Sequence, residues 1–314
     1  AAGKKRLFWQ SGSEDYFDQA DPLSMNLLLE LANGFNSSIG INQSLSAFKN
    51  NLNGIKGAAS LGSHFISQVF TNSTAGFTDQ GYHGGWGFNF QNGFSAGVSL
   101  NAVENHGSSR LQSNESTVIT GYTSPNFGVG FNLTILEENG NLLGSSPGGA
   151  FGVNSSETLI GDLRAHINLQ DTWSVIGSYK NSLTQVTERS DSFLGNFTEI
   201  RGDSWGIGLL GREILTAHDS FGVAISQPLR TKSGSVDVTT PWRAEQSSPT
   251  SFRTTKTSLI PNGREMSFEL FYRKPLTPRT SFAASLVYRQ QPLHRRSIDG
   301  QTTFAAVLRI NFGP

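Results

Sequence analysis

Residues 301–312, QTTFAAVLRINF, alternate between two kinds of side chain over most of their length. Successive side chains of a β-strand point to opposite faces, so the alternation predicts a strand with one apolar and one more polar face. Residues 159–170 repeat the pattern with charges, because Asp162, Arg164 and His166 share one parity and mostly aliphatic residues occupy the other. Such a charged face suits a water-filled lumen, and the apolar face suits lipid.

The composition excludes several other classes of protein. Only 15% of the residues are charged, and 24 basic residues balance 24 acidic ones, so nothing indicates a nucleic-acid partner. The chain has no cysteine, which excludes disulfides and thiolate metal sites. It also has no run of about 18 apolar residues that would cross a bilayer as a helix. Strands escape that test, because only every second residue must be apolar.

The first sixty residues predict a different organisation from the rest. Residues 1–20 are polar and rich in turn-forming residues, and we expect no regular structure there. Residues 21–62 predict helices, because an Asp-Pro pair is a typical helix start and leucines follow it at helical spacing. Residues 43–59 carry a second apolar stripe at that spacing. In residues 63–314 the period is two.

We therefore predict an all-β fold, a transmembrane antiparallel up-and-down β-barrel of about twelve strands, preceded by a helical segment in or near its lumen. The predicted domains are an irregular segment, a helical linker or plug, and an outer-membrane barrel that begins at residue 63. The predicted strands lie at 64–79, 82–91, 93–106, 115–124, 127–139, 157–170, 172–186, 199–213, 219–231, 264–276, 279–291 and 301–312.

The connections between the predicted strands alternate in length. Residues 91–93 and 124–126 are tight turns, whereas residues 140–156, 187–198 and 232–263 are long and rich in Gly, Ser and Asn. Short turns at one end and long loops at the other are typical of outer-membrane barrels, whose short turns face the periplasm. The longest of these connections alternates as well, which predicts a hairpin beyond the membrane.

Polar side chains of the predicted inner face are potential binding partners for the 43–59 segment. We expect hydrogen bonds and ion pairs to hold that segment in the lumen, and its deletion to open the pore. The alternative is that the charges only solvate a water-filled interior. The side chains predicted to line the lumen are those of Asp162, Arg164, His166, Lys180, Glu269, Arg273, Arg289, Arg309 and Asn311.

Four stretches of the sequence resemble one protein family. They are EENGNLLGSSPGGAFG (137–152), SQPLRTKSGSVDVTTP (226–241), PNGRE (261–265) and YRQQPLH (288–294), followed by a closing strand that ends in RINF. In order and spacing they resemble the C-terminal β-domain of subtilisin-like (S8 family) autotransporters. The resemblance implies a Gram-negative outer-membrane translocator of type V secretion, which exports or displays an N-terminal passenger and is threaded by the passenger's linker.

The chain departs from that family because nothing in residues 1–62 resembles a serine peptidase, so we expect no enzyme activity in it. The expected partners are outer-membrane lipid and lipopolysaccharide, the barrel-assembly machinery through the C-terminal strand, and the chain's own passenger or a surface protein assembly. No cofactor and no metal are expected. A stand-alone outer-membrane channel and a barrel that anchors a surface assembly are the alternatives.

Three short motifs carry candidate chemistry. His106 and His218 each precede a serine by two residues, the spacing of outer-membrane phospholipases, but neither has an evident orienting partner. Residues 201–203 form Arg-Gly-Asp, a cell-adhesion tripeptide, which we interpret as a chance match. The resemblance adds Asn50 and Asn51, because some autotransporters are cleaved between paired asparagines in the lumenal linker. A solvated helix face is the alternative interpretation of that pair.

Overall fold

The structure is a computed structural model in which seventeen strands are defined. It describes residues 4–10, 24–31, 33–41, 48–49, 52, 65, 67, 69–70, 81–104, 112–145, 147–169, 172–243, 250–277 and 279–310. The strands are β1 (Lys4–Gln10), β2 (Ser24–Glu30), β3 (Phe35–Ile41), β4 (Tyr82–Asn89), β5 (Phe94–Glu104), β6 (Gln112–Thr123), β7 (Phe127–Asn139), β8 (Val153–Asn168), β9 (Trp173–Glu188), β10 (Leu194–Gly195), β11 (Ile200–Arg212), β12 (Ser220–Ser233), β13 (Ser235–Arg243), β14 (Ser251–Ser258), β15 (Met266–Pro275), β16 (Thr280–Gln290) and β17 (Gln301–Ile310). Gly149–Phe151 and Pro292–His294 form short 3-10 turns.

Fourteen strands form one sheet, hereafter the wall, in which each strand pairs antiparallel with the next in chain order. Of the strands in the described ranges, only β10, β13 and β14 stand outside the wall, in a sheet of their own. The predicted all-β, antiparallel, up-and-down fold is confirmed, with fourteen strands in place of about twelve. Eleven of the fourteen strands, all except β1, β2 and β3, are the strands predicted from residue 82 onward.

Two predictions for residues 1–41 are wrong. The segment predicted to be irregular contains β1, and the first predicted helix is replaced by β2, which pairs with β3. Both faces of β2 carry leucine, since Leu27 is exposed and Leu28 is buried in a cluster with Phe48 and Leu52. Because apolar residues lie on both faces, the sequence of β2 lacks the alternation of a typical strand. The spacing of its leucines is then also compatible with a helix.

Residues 42–81 connect β3 to β4, hereafter the β3–β4 connection. Phe48, Lys49 and Leu52 are helical, as the prediction for 43–59 required, and the other residues of that stretch lie outside the described residues. The strand predicted at 64–79 is wrong where it is described, because residues 65, 67, 69 and 70 lie in bends and a turn. The remainder of that stretch also lies outside the described residues.

The wall has two different ends. Short connections such as 90–93 and 124–126 join its strands at the turn end, and mostly longer ones join them at the loop end, as predicted. At one tight turn Gly93 has a φ of +89°, and a Cβ atom there would collide with the carbonyl oxygen of Thr123. Glycine is required at that position by both conformation and space. The strand β1 begins at the turn end and β17 finishes there.

The two faces of the wall differ in a way opposite to that of a soluble sheet. Along β7 exposed and buried side chains alternate without interruption. The exposed ones include Val129, Phe131 and Leu133, whereas Asn132 and Thr134 are buried. Burying the polar face while exposing the apolar one is unfavourable in water and favourable in lipid around a polar interior.

In the described part of the chain, no helix has the length and apolar character needed to cross a membrane.

A three-stranded sheet made of β10, β13 and β14 stands at the loop end. Its β13–β14 hairpin confirms the hairpin predicted within 232–263. The sheet is joined to the neighbouring loop by aromatic contacts, because the Phe193 ring lies 6.0 Å from Phe151 and 5.9 Å from Phe252, measured between centroids. This sheet extends the fold beyond the strands of the wall.

Candidate functional site

The β3–β4 connection leaves the wall and returns to it at the same point of the loop end. Ile41, the last residue of β3, pairs directly with Tyr82, the first residue of β4. Between these residues the described side chains lie against the inner face of the wall, which is the polar face. The described residues of the connection therefore lie on the inner side of the wall, between two strands that are adjacent in it.

The helical part of the connection packs on β4, β5 and β6. Phe48 lies over Gly85, where a Cβ atom would come within 2.5 Å of the ring. Leu52 lies over Gly87 and Gly97 in the same way, and both hydrophobic side chains are fully buried. Because glycine has no side chain, these positions leave room for Phe48 and Leu52 to pack directly on the backbone of the wall. The inner face at this point therefore fits the connection.

Two polar contacts add to this packing. The Lys49 ammonium donates to Oε1 of Glu115 on β6, and both side chains are buried. The Ser95 hydroxyl on β5 donates to the carbonyl oxygen of Leu52. Buried charges are retained in proteins when they are paired, so Lys49 and Glu115 fix the position of the helical part.

The second described part of the connection packs on the opposite side of the interior. The Phe65 ring lies 5.0 Å from the rings of both Phe70 and Phe271, and these residues form a cluster with Ile176 and Leu210. Each ring has a glycine beneath it: Phe65 covers Gly208, Phe70 covers Gly206, and Phe271 covers Gly222. We name Phe65, Phe70, Ile176, Leu210 and Phe271 the aromatic cluster.

Hydrogen bonds join this part of the connection to three further strands. The Ser67 amide donates to Oε2 of Glu269 on β15 over 3.0 Å, and its hydroxyl lies 2.9 Å from that of Ser226 on β12. Nη1 of Arg164 on β8 donates to the carbonyl oxygen of Phe70 over 3.0 Å. One loop that contacts strands from β4 to β15 requires the wall to curve around it.

The register places the inner-face residues of β8, β9 and β11 in rows across the wall. One row holds Asp162, Lys180 and Ser204. The next row toward the turn end holds Arg164, Ser178 and Gly206, and the one after it holds His166, Ile176 and Gly208. The polar rows therefore border the aromatic cluster directly, because Gly206 and Gly208 lie beneath its rings.

Charges in these rows are paired. Oδ2 of Asp162 accepts from Nε and Nη2 of Arg164 over 3.0 and 2.9 Å, and Nζ of Lys180 lies 4.0 Å away. Asp162, Arg164 and His166 are all buried on the inner face, the parity predicted for them. These residues share the face that the sequence predicted for them, whereas the contact between Arg164 and Phe70 lies outside the 43–59 segment that was predicted to occupy the lumen.

The other predicted lumen residues have mixed environments. Glu269 is buried, Arg273 is half-buried, and Arg289 is exposed with its Nε 4.0 Å from Glu265. The side chain of Arg309 lies outside the described residues. So do Asn311 and the proposed cleavage pair Asn50 and Asn51.

The candidate hydrolase motif at His218 is part of a structural turn. Nδ1 of His218 lies 3.3 Å from Glu213, and its ring is exposed. The next residue, Asp219, is buried and accepts hydrogen bonds from the amides of Ile214, Leu215 and Thr216 over 2.7 to 3.1 Å. Burial opposes ionisation, but these bonds and one from the Thr216 hydroxyl outweigh it and lower the pKa of Asp219. His106, the other candidate, lies outside the described residues.

The residues of the Arg-Gly-Asp tripeptide are not exposed together on the surface. Arg201 is exposed and bonded to Glu199, whereas Asp203 is buried. The Asp203 carboxylate accepts hydrogen bonds from Gln227 and Lys232, over 3.2 and 2.9 Å respectively. The buried carboxylate is engaged inside the protein, which agrees with a chance match.

A buried histidine organises the loop after β16. The Glu265 amide donates to Nδ1 of His294 over 2.9 Å, and Nε2 lies 2.9 Å from the carbonyl oxygen of Leu229. This arrangement requires the neutral ring protonated at Nε2. Burial lowers the pKa of His294, although Leu229 and Glu265 act in the opposite direction. The sequence stretches PNGRE and YRQQPLH thus meet at this histidine.

The described residues bring no three His, Asp or Glu side chains together in a way that would hold a metal ion.

Comparison with known proteins gives remote structural similarities. No family model and no curated protein matches the chain. The solved structure titled "CymD monoaromatic hydrocarbon channel" has 12% sequence identity and a TM-score of 0.43, with 74% of each chain covered. The Pseudomonas putida toluene transporter TodX has 12% identity and a TM-score of 0.37, with 72% of each chain covered. Similarities of this size assign no family to the chain.

Proposed function

We propose that the chain is a Gram-negative outer-membrane channel for small, largely apolar solutes, and that the β3–β4 connection closes its lumen. The proposed location is supported by the outer face, on which apolar side chains such as Phe131 and Leu163 are exposed on strand after strand. Outer-membrane lipid and lipopolysaccharide are the partners that this face requires. Insertion by the barrel-assembly machinery through β17 stays a prediction.

The observation that carries the proposal is the aromatic cluster inside the wall. Phe65 and Phe70 come from the connection, and Phe271 comes from the wall itself. The rings of this cluster offer an ion no polar group that would replace its hydration, so passage of an ion between them is costly. A small apolar molecule can take the place of one ring in contact with its neighbour at little cost in free energy, because the apolar surface stays away from water. The cluster therefore favours such solutes.

The translocator function implied by the resemblance is the weaker candidate. A passenger linker has to precede the first strand and cross the lumen from one end to the other. The described interior residues follow β3 instead, and their loop returns to β4 beside its starting point. This order favours a channel with an inward loop over an autotransporter.

The proposal is tested by tethering the connection to the wall. The Ser67 and Ser226 hydroxyls lie 2.9 Å apart, so Ser67→Cys with Ser226→Cys places two thiols close enough to bond. The chain has no cysteine of its own that would compete. In cells that express this variant, we expect oxidation to stop uptake of labelled toluene across the outer membrane, and reduction to restore it.

The matched control is Thr158→Cys with Thr184→Cys. These hydroxyls also lie 2.9 Å apart, but both residues belong to the wall, on β8 and β9. Oxidation of the control is expected to leave uptake unchanged. Equal uptake by the oxidised and reduced tethered protein, or no protein-dependent uptake at all, contradicts the proposal.

A further inference from the structure

Beside the aromatic cluster, the inner wall carries buried polar atoms that have no hydrogen-bond partner among the described residues. We infer that Asp162, His166 and Ser178 form a binding site for a hydroxyl group on a solute that contains an apolar ring. The inference rests on the proposed channel function, and it adds a chemical preference to it.

The unpartnered atoms belong to three different side chains. They are both ring nitrogens of His166, Oδ1 of Asp162 and Oγ of Ser178. All three residues are more than nine-tenths buried. Buried polar groups are nearly always hydrogen-bonded in folded proteins. Several unpartnered groups in one region therefore indicate a place for a partner that the described residues do not supply.

The register brings these side chains together on the inner face. Ser178 pairs with Arg164, and Asp162 and His166 flank Arg164 on the same face of β8. Ser178 is thus the diagonal neighbour of both, at about 7–8 Å between Cα atoms. A single hydroxyl group between them can donate to the Asp162 carboxylate and accept from Ser178 or His166.

The same site is apolar on its other side. Ser178 pairs with Gly206, over which the Phe70 ring lies, and His166 pairs with Ile176 of the aromatic cluster. A ligand that satisfies both halves has a compact ring and a neutral hydroxyl group. An alcohol or phenol can donate its proton to Oδ1 of Asp162, whereas an ionised carboxylate has no proton to donate, so a neutral hydroxyl group fits this atom better than an acid.

The test compares two probes that differ only in one hydroxyl group, toluene and p-cresol. Binding to the purified full chain in detergent is measured by calorimetry. We expect p-cresol to bind wild-type protein about fivefold to tenfold more tightly than toluene, the effect of one or two net hydrogen bonds. Ser178→Ala should remove most of this preference by weakening the binding of p-cresol. His166→Phe, which keeps a planar ring, should also remove most of the preference.

Ser99→Ala is the matched control. Its hydroxyl is also buried and unpartnered on the inner face, but it lies on β5, four strands away in the wall. The control should keep the full preference for p-cresol, and the melting temperature of each variant shows that it is folded.

Equal affinity of wild-type protein for both probes overturns the site. So does a loss of preference that is as large in Ser99→Ala as in Ser178→Ala. The channel itself is judged separately by toluene uptake in cells. If cells take up toluene but the protein does not prefer p-cresol, only the proposed hydroxyl site is wrong. If the protein prefers p-cresol but cells do not take up toluene, the site is supported and the channel function is contradicted.

Discussion

Lys49 of the β3–β4 connection donates a hydrogen bond to Glu115 of β6, and both side chains are almost completely buried. The Thr117 hydroxyl also donates to this carboxylate, over 2.9 Å. The ion pair is therefore the charged attachment between the helical part of the connection and the wall. Its removal tests whether the connection is held specifically.

Lys49→Met is expected to destabilise the closed interior by about 3–5 kcal/mol, because it leaves the Glu115 carboxylate buried without its cation. Urea unfolding in lipid vesicles measures the change. Lys49→Met combined with Glu115→Leu should recover most of the lost stability, since neither charge is then buried. Equal losses in the single and double variants would show that the two residues are not coupled.

Gly85→Val is expected to displace the connection, because the added side chain occupies the place of the Phe48 ring. Conductance of the purified protein in planar bilayers should rise as the helical part leaves its position. Gly177→Val is the control, since a Cβ atom at Gly177 meets nothing within 4 Å. A closed pore in the Gly85 variant, or an equal rise in both variants, would count against a lumen closed by this loop.

These glycines also show what the sequence predicts and what it does not. Alternation located eleven strands, and parity placed Asp162 and Arg164 on the inner face. Gly85 and Gly206 lie on that face too, but in a sequence a glycine there is equally consistent with a small residue in an empty lumen. Only the structure shows Phe48 and Phe70 above them. The sequence predicted a lumenal segment at 43–59, but it did not predict the packing of Phe65 and Phe70, because their contacts join residues far apart in sequence.

The strands β2 and β3 were missed for a related physical reason. Leu28 faces inward, yet it is apolar because it joins a buried cluster with Phe48, Leu52 and Ile119. Where the loop covers the inner face, that face no longer needs to be polar, and the period of two weakens. A barrel strand is therefore hardest to recognise in sequence where the lumen is filled.

Leu133→Lys is expected to cost about 2–4 kcal/mol, because Leu133 lies on the outer face near the middle of β7 and lysine there would meet hydrocarbon. Unfolding in lipid vesicles measures this loss. Thr254→Lys on the exposed strand β14 is the control, and it should change stability little. A small effect at Leu133 would indicate that this face meets water.

Acid is expected to weaken the turn before β12 through Asp219. Because its pKa in the folded chain is lowered below the ordinary value of 3.8, its stabilising contribution is present above pH 3.8 and is lost as the pH falls toward the lowered pKa. Asp219→Asn should reduce stability at neutral pH, and the difference from wild type should shrink in acid. Asp191→Asn, at an exposed site, should show no such trend. A difference that is independent of pH would contradict this role.

The central claim is that alternate side chains of the wall meet lipid outside and a polar interior inside. The chain contains no cysteine, so single cysteines can be placed at each position of β7 and carry a spin label. In lipid vesicles, labels at residues 129, 131 and 133 should collide with dissolved oxygen, and labels at 130, 132 and 134 should not. Equal access of a water-soluble nickel complex to all six positions would contradict the account.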